Sequence, residues 1–164
     1  MVIKLDPILN IMLLLKNAWT LTGDFTGSNI TFSTRWYDSN IQMPQITISP
    51  SPSRQLPLTT GIPLYQSSDN IYINIWVRPI QDSNRSIGWA KNAVYQLRQE
   101  IERLLISGAN IGAGTSGTPY TSKEYVFLSG WRDLTEVEKE TARPIIFRQE
   151  CAINNSYFKS WNEI

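Results

Sequence analysis

Apolar residues recur at helical spacing in two segments of the chain. In residues 6–19, Ile8, Met12 and Leu15 share one face, and Asp6 followed by Pro7 is typical of a helix start. This segment is too short to span a bilayer and is not followed by a cleavage site of small residues, so we expect a buried helix rather than a signal peptide. The second segment, residues 86–107, has the i, i+3, i+4, i+7 pattern of an amphipathic helix. Its apolar positions are Ala90, Val94, Leu97, Ile101, Leu104 and Leu105.

Alternation of apolar and polar residues predicts strands elsewhere, at 29–36, 45–49, 70–79, 124–131 and 144–153. The clearest is 70–79, which carries bulky residues on both faces and is therefore expected near the centre of a sheet. The order of elements is helix, three strands, helix, two strands. It predicts an α+β fold in which both helices pack on one face of a single, mostly antiparallel sheet.

Two segments have neither the helical nor the strand pattern of apolar residues. Residues 49–63 are rich in proline and residues 108–122 are rich in glycine, so we expect a long loop at each place. The last residues, 154–164, include Tyr157, Phe158 and Trp161, and we expect an aromatic tail that docks on the rest of the protein. A chain of 164 residues suits one domain, which we assign to residues 1–164.

Composition argues against most kinds of chemistry. The chain has no histidine and a single cysteine, Cys151, which excludes an internal disulfide, a zinc site of His and Cys ligands, and a His-dependent triad. Fifteen Lys and Arg balance 14 Asp and Glu, a near-neutral charge that disfavours nucleic-acid binding. We therefore predict no catalytic residue, no cofactor and no metal. A small hydrolase that uses serine and lysine is kept as a distant alternative.

Two motifs have plain interpretations. The glycine-rich loop follows a helix and lacks Gly-Lys-Ser/Thr, whereas a phosphate-binding loop follows a strand and opens a helix. Acidic and basic side chains are mixed in residues 132–143. They indicate either a solvated turn or ion pairs across a subunit boundary.

The aliphatic strands and their order resemble a known family. The quoted segments are MPQITI at 43–48, IYINIWV at 71–77 and RPIIFRQEC at 143–151, with the amphipathic helix of 89–105 between the last two. This pattern resembles the tail terminator, or tail-completion, proteins of tailed bacterial and archaeal viruses over about residues 5–153. The resemblance lies in element order and has no residue motif, so no functional residue is carried over from the family.

The resemblance implies a virion protein of the tail or neck, assembled in the host cytoplasm. It implies a ring, usually of six copies, that caps the head-proximal end of the tail tube, stops its polymerisation and docks to the head–tail connector protein. The partners are then other copies of the chain, the tail tube protein and the connector, with DNA only passing through the lumen and no membrane. The alternatives are another neck protein, such as a connector or adaptor, or the tube protein itself.

This function predicts two sets of contact residues. For self-association we expect the mixed-charge residues Arg132, Asp133, Glu136 and Glu138. For contacts with the tube or the connector we expect the two long loops, which we predict to become ordered on assembly. The residues chosen in the loops are Arg54, Leu56, Ile62, Asn110, Ile111 and Tyr120.

Overall fold

A computed structural model of the protein describes residues 7–50, 54–57, 64–80, 85–107 and 125–160. Its helices are α1, Pro7–Ala18, and α2, Ile87–Ser107, and two 3₁₀ turns lie at Gly23–Phe25 and Gly27–Asn29. The strands are β1 Thr31–Ser33, β2 Gln45–Pro50, β3 Arg54–Pro57, β4 Leu64–Val77, β5 Tyr125–Asp133, β6 Glu136–Val137 and β7 Pro144–Ser160. The predicted α+β class is confirmed. None of the described helices is both long enough and apolar enough to span a bilayer.

The sheet is built around two long central strands. Every residue of β4 pairs with β7, from Leu64 opposite Ser160 to Val77 opposite Phe147. The strand order is β1-β2-β4-β7-β5. The short strand β3 pairs with the first half of β4, beside β2, and β6 pairs with the start of β7.

One face of this sheet forms the hydrophobic core with the two helices. Ile71, Ile73 and Ile75 of β4 are fully buried, since alternate residues of a strand point to the same side. α1 packs against β2, and α2 packs against β4, β7 and β5. Leu15 of α1 and Leu97 of α2 belong to the same buried cluster, so both helices lie on the face that carries these isoleucines.

The pairing of β1 corrects part of the expected topology. β1 runs parallel to β2, so the sheet is mixed, whereas the other described pairings are antiparallel. A tight hairpin can join only antiparallel strands, and a parallel pair needs a connection that crosses a face of the sheet. Residues 34–44 make that crossing: Tyr37 stacks on Trp76 of β4 along the way.

The structure has more strands than predicted, and the last strand is longer than predicted. Four strands precede α2 instead of three, because β3 lies inside the segment expected to be a loop at 49–63. Its proline, Pro57, is the last residue of a strand at the margin of the sheet, where a missing N–H is tolerated. Three strands follow α2 instead of two, because β6 interrupts the charged segment. The expected tail at 154–164 is strand as far as Ser160, while 161–164 and the whole loop at 108–122 lie outside the described residues.

Candidate functional site

The face of the sheet opposite the helices carries a polar and aromatic cluster. Strand register places Thr47, Asn74, Glu150 and Arg132 side by side on β2, β4, β7 and β5. Trp76 and Arg148 form the neighbouring pair on β4 and β7. No helix covers these side chains within the described part of the chain. We call the surface formed by these six residues the open face.

Arg148 lies at the centre of the open face. Its Cζ is 4.5 Å from the ring centroid of Trp76 and 4.9 Å from that of Trp36, so the guanidinium contacts two indoles. Its Nε donates a 2.9 Å hydrogen bond to Oδ1 of Asn74. The side chain is 18% exposed, a degree of burial at which cation–π attraction is stronger than at a free surface.

Glu150 balances the charge of Arg148. Its Oε2 accepts a 3.3 Å hydrogen bond from Nη2 of Arg148, and its Oε1 accepts one of 2.6 Å from Nη2 of Arg132. The Glu150 side chain is 11% exposed, whereas that of Arg132 is 69% exposed. One carboxylate is therefore shared by a sheltered and an exposed guanidinium, and the three side chains together carry one positive charge.

Two aromatic residues of the β1–β2 connection fold onto the open face. Tyr37 stacks on Trp76 at 4.9 Å, and Trp36 meets the same ring edge-on at 5.2 Å. Gln45 holds the connection in place: its Nε2 donates to the Asp38 carbonyl at 2.7 Å, and its Oε1 accepts from the Asp38 N–H at 3.0 Å. Trp36 remains 57% exposed, so the connection presents a fixed indole to solvent.

Two buried polar atoms of this region have no hydrogen-bond partner among the described residues, Nδ2 of Asn74 and the hydroxyl of Tyr37. Thr47, by contrast, is satisfied, because its Oγ1 accepts from Nε1 of Trp76 at 2.8 Å. The cluster contains cationic, aromatic and amide groups and pairs no nucleophile with a base. Its chemistry suits a contact surface. Among the described residues, no three His, Cys, Asp or Glu side chains are grouped so as to hold a metal ion.

A pocket of about 690 Å³ lies where β4 ends and β7 begins. Its lining includes the apolar Ile80, Ile87 and Ile145 and the charged Arg78, Glu138 and Arg143. Ile145, at the start of β7, is 51% exposed, although it is a large aliphatic residue. We call this cavity the end pocket.

A buried carboxylate fixes α2 to the segment that follows α1. Oε1 of Glu100 accepts hydrogen bonds from the N–H and the hydroxyl of Thr20, both at 2.9 Å, and from Nη2 of Arg103 at 2.8 Å. The hydrogen bonds from Arg103, helped by those from Thr20, hold the pKa of Glu100 below its usual value, although burial acts in the other direction. These contacts join two elements of the same chain, so we interpret them as structural.

The four residues predicted for self-association do not form one cluster. Arg132 is paired with Glu150, and Oδ1 of Asp133 accepts hydrogen bonds from the backbone and the hydroxyl of Thr135. Glu138 accepts a hydrogen bond from the Thr141 hydroxyl. Glu136, in contrast, is exposed on β6 and makes no side-chain hydrogen bond or ion pair with the described residues. It is therefore the member of the set most available to a neighbouring molecule.

The residues predicted for partner contact are only partly described. Arg54 and Leu56 lie in β3, where they pair with Ser68 and Gln66 of β4. The others, Ile62, Asn110, Ile111 and Tyr120, lie outside the described residues.

Sequence reasoning missed the open face and the end pocket. The polar positions of β4 and β7 were visible as the other half of the alternation, and Asn74 and Arg148 belong to it. Their meeting depends on which strands are neighbours and in which register, which one sequence does not reveal.

The comparisons add no relative. Neither the models of protein families nor the curated proteins give a match to this chain.

Proposed function

We propose that the protein is a structural subunit that assembles into a closed ring, of the kind that caps the head-proximal end of a viral tail tube. The observation that carries the proposal is the length of the two central strands relative to the helices that cover them. Strands that extend past the helices packed on them can offer surface to other molecules, and a subunit of a ring needs contacts of that kind.

The mismatch can be estimated from the elements. α2 has 21 residues and is about 32 Å long. β7 has 17 residues and is about 56 Å long. β2, against which α1 packs, pairs with β4 as far as Ile71. Residues 64–70 and 154–160 continue the two strands in paired register beyond that point, with β3 on one side and β5 on the other.

A ring that caps a tube also needs more than one contact surface. It binds the tube on one side, the connector on the other, and its own copies laterally. The open face, the end pocket and the extended parts of β4 and β7 are three distinct regions. The exposed Trp36 lies against Arg148 at the open face, and the exposed Ile145 lies beside charged residues in the end pocket. Such surfaces are typical of protein contacts.

The same features would suit a tail tube protein or another neck protein, and assembly separates these alternatives. We expect the purified protein to give closed rings with a fixed number of subunits in native mass spectrometry and electron microscopy. Added to polymerising tail tube protein, it should stop elongation. Open filaments of the protein alone would favour a tube protein. A strictly monomeric protein at high concentration that leaves tube growth unchanged would refute the proposal.

One pair of variants tests the self-association surface within this experiment. Glu136→Lys reverses a charge on β6, whereas Glu140→Lys makes the same change in the neighbouring exposed turn. We expect Glu136→Lys to reduce the ring population and Glu140→Lys to leave it near the wild-type level. Equal ring populations for wild type and Glu136→Lys would remove Glu136 from the interface, whatever the protein assembles into.

A further inference from the structure

We infer that the end pocket receives residues 161–164 of a second copy of the chain, so that the copies associate head to tail. This inference rests on the proposed function, because it specifies the contact by which the ring would close. It assigns a ligand, a segment of aromatic, acidic and aliphatic residues, to a cavity of a size that in other proteins holds a drug-sized molecule.

The geometry of β7 excludes docking within one chain. The end pocket contains Pro144 and Ile145, the first residues of β7, while the segment in question follows Ser160, its last residue. Because β7 is paired with β4 as far as Ser160, it is extended, and 15 residues of extended strand cover about 50 Å. Residues 161–164 reach at most about 14 Å beyond its end. They can enter an end pocket only on another molecule.

The chemistry of the segment matches that of the pocket. Its sequence is Trp-Asn-Glu-Ile, which offers two large apolar side chains, Trp161 and Ile164, on either side of the acidic Glu163. The end pocket offers aliphatic side chains together with the guanidinium groups of Arg78 and Arg143. Among the described lining residues Glu138 is acidic and Arg78 and Arg143 are basic, so these three side chains together carry one positive charge, which favours an incoming carboxylate.

A contact between the end pocket and this segment also has the head-to-tail symmetry that a ring requires. The pocket is at the first residues of β7 and the segment follows its last residue in sequence, so a contact between them joins two different surfaces. A heterologous contact of this kind produces a ring when the rotation between copies closes, and a filament when it does not. A symmetric dimer would instead require one surface to meet itself.

Disulfide cross-linking tests the contact directly. One batch of full-length protein carries Ile145→Cys in the end pocket, and another carries Ile164→Cys in the segment. The native Cys151 is fully buried and is left in place. Mixed under mild oxidation, the two batches should give a covalent dimer containing one chain of each kind. Gln99→Cys, at an exposed position on α2, replaces Ile145→Cys in the control mixture and should give only background.

A charge exchange provides an independent measurement. Arg143→Glu and Glu163→Arg should each weaken self-association by about tenfold in analytical ultracentrifugation, because each places like charges in contact. The double variant should recover most of the wild-type affinity. Circular dichroism of each variant separates loss of association from loss of folding.

These experiments distinguish failure of the end-pocket contact from failure of the proposed function. If the wild-type protein forms rings but the cross-link does not exceed the control and Glu163→Arg has no effect, the end-pocket contact is refuted and the proposed function stands. If the wild-type protein never self-associates, the proposed function itself fails and the contact fails with it.

Discussion

Replacing Arg148 with methionine would remove the charge at the centre of the open face while keeping a long, unbranched side chain. Oδ1 of the buried Asn74 would lose its donor, and Nδ2 of the same residue has no partner among the described residues. Glu150 would keep only its bond to Arg132, which is mostly exposed. The aromatic pair of Trp36 and Trp76 would lose the cation that lies against both rings.

The cost follows from these losses. A buried acceptor left without a partner costs about 1–3 kcal/mol, and a largely desolvated cation–π contact contributes about 2 kcal/mol. We therefore expect Arg148→Met to lower the free energy of unfolding by about 3–5 kcal/mol. Arg132→Met is the matched control, because it removes the exposed partner of the same carboxylate. An exposed ion pair contributes about 0–1 kcal/mol.

Urea unfolding followed by far-ultraviolet circular dichroism measures both values without depending on the altered tryptophan environment. A double-mutant cycle with Asn74→Leu isolates the hydrogen bond. In that background Arg148→Met should cost about 1–3 kcal/mol less, because no amide is left unpaired. If Arg148→Met costs no more than Arg132→Met, or if the cycle gives no coupling, Arg148 does not support the open face in the way described.

Two further predictions concern the scaffold. Hydrogen bonds from Arg103 lower the pKa of Glu100, so its stabilising effect is present at neutral pH and is lost as the pH falls through the lowered value. Glu100→Gln should lower the free energy of unfolding in urea by about 1.5–3 kcal/mol at pH 7 and by progressively less as the pH falls. An equal loss at neutral and at acidic pH would contradict this. Gly130 has φ +73° at the irregularity of β5, so Gly130→Ala should lower stability by about 1–2 kcal/mol in thermal unfolding. Gly88→Ala, in the first turn of α2, should not lower the stability, since its added Cβ meets only Ser86 Oγ at 3.8 Å. An equal change in thermal stability for the two glycine variants would refute the reasoning.

The helices and the inner halves of the strands could be predicted because burial imposes a period on the sequence. Residues 86–107 were predicted as a helix that the structure places at Ile87–Ser107, since one stripe of this segment faces the core. The outer halves of the two long strands could not be predicted. Residues 64–70 and 154–160 do not alternate regularly between apolar and polar, and their strand structure follows from pairing with each other. The chain offers no local sign of a partner so distant in sequence.

The open face could not be predicted for a related reason, and the same reason suggests what it does for the fold. Sliding β7 by two residues along β4 would keep Ile73 and Cys151 on the buried side, because side chains alternate with a period of two. Burial of apolar residues therefore does not distinguish the observed register from its neighbours. The contact of Arg148 with Trp76 does, since a slip of two residues would separate them and leave a sheltered charge without its partners. The register in turn sets how far β7 extends along β4, and so where its end lies relative to the end pocket. The half-buried Arg148 thus connects the pairing of two distant strands to the geometry through which copies of the protein would meet.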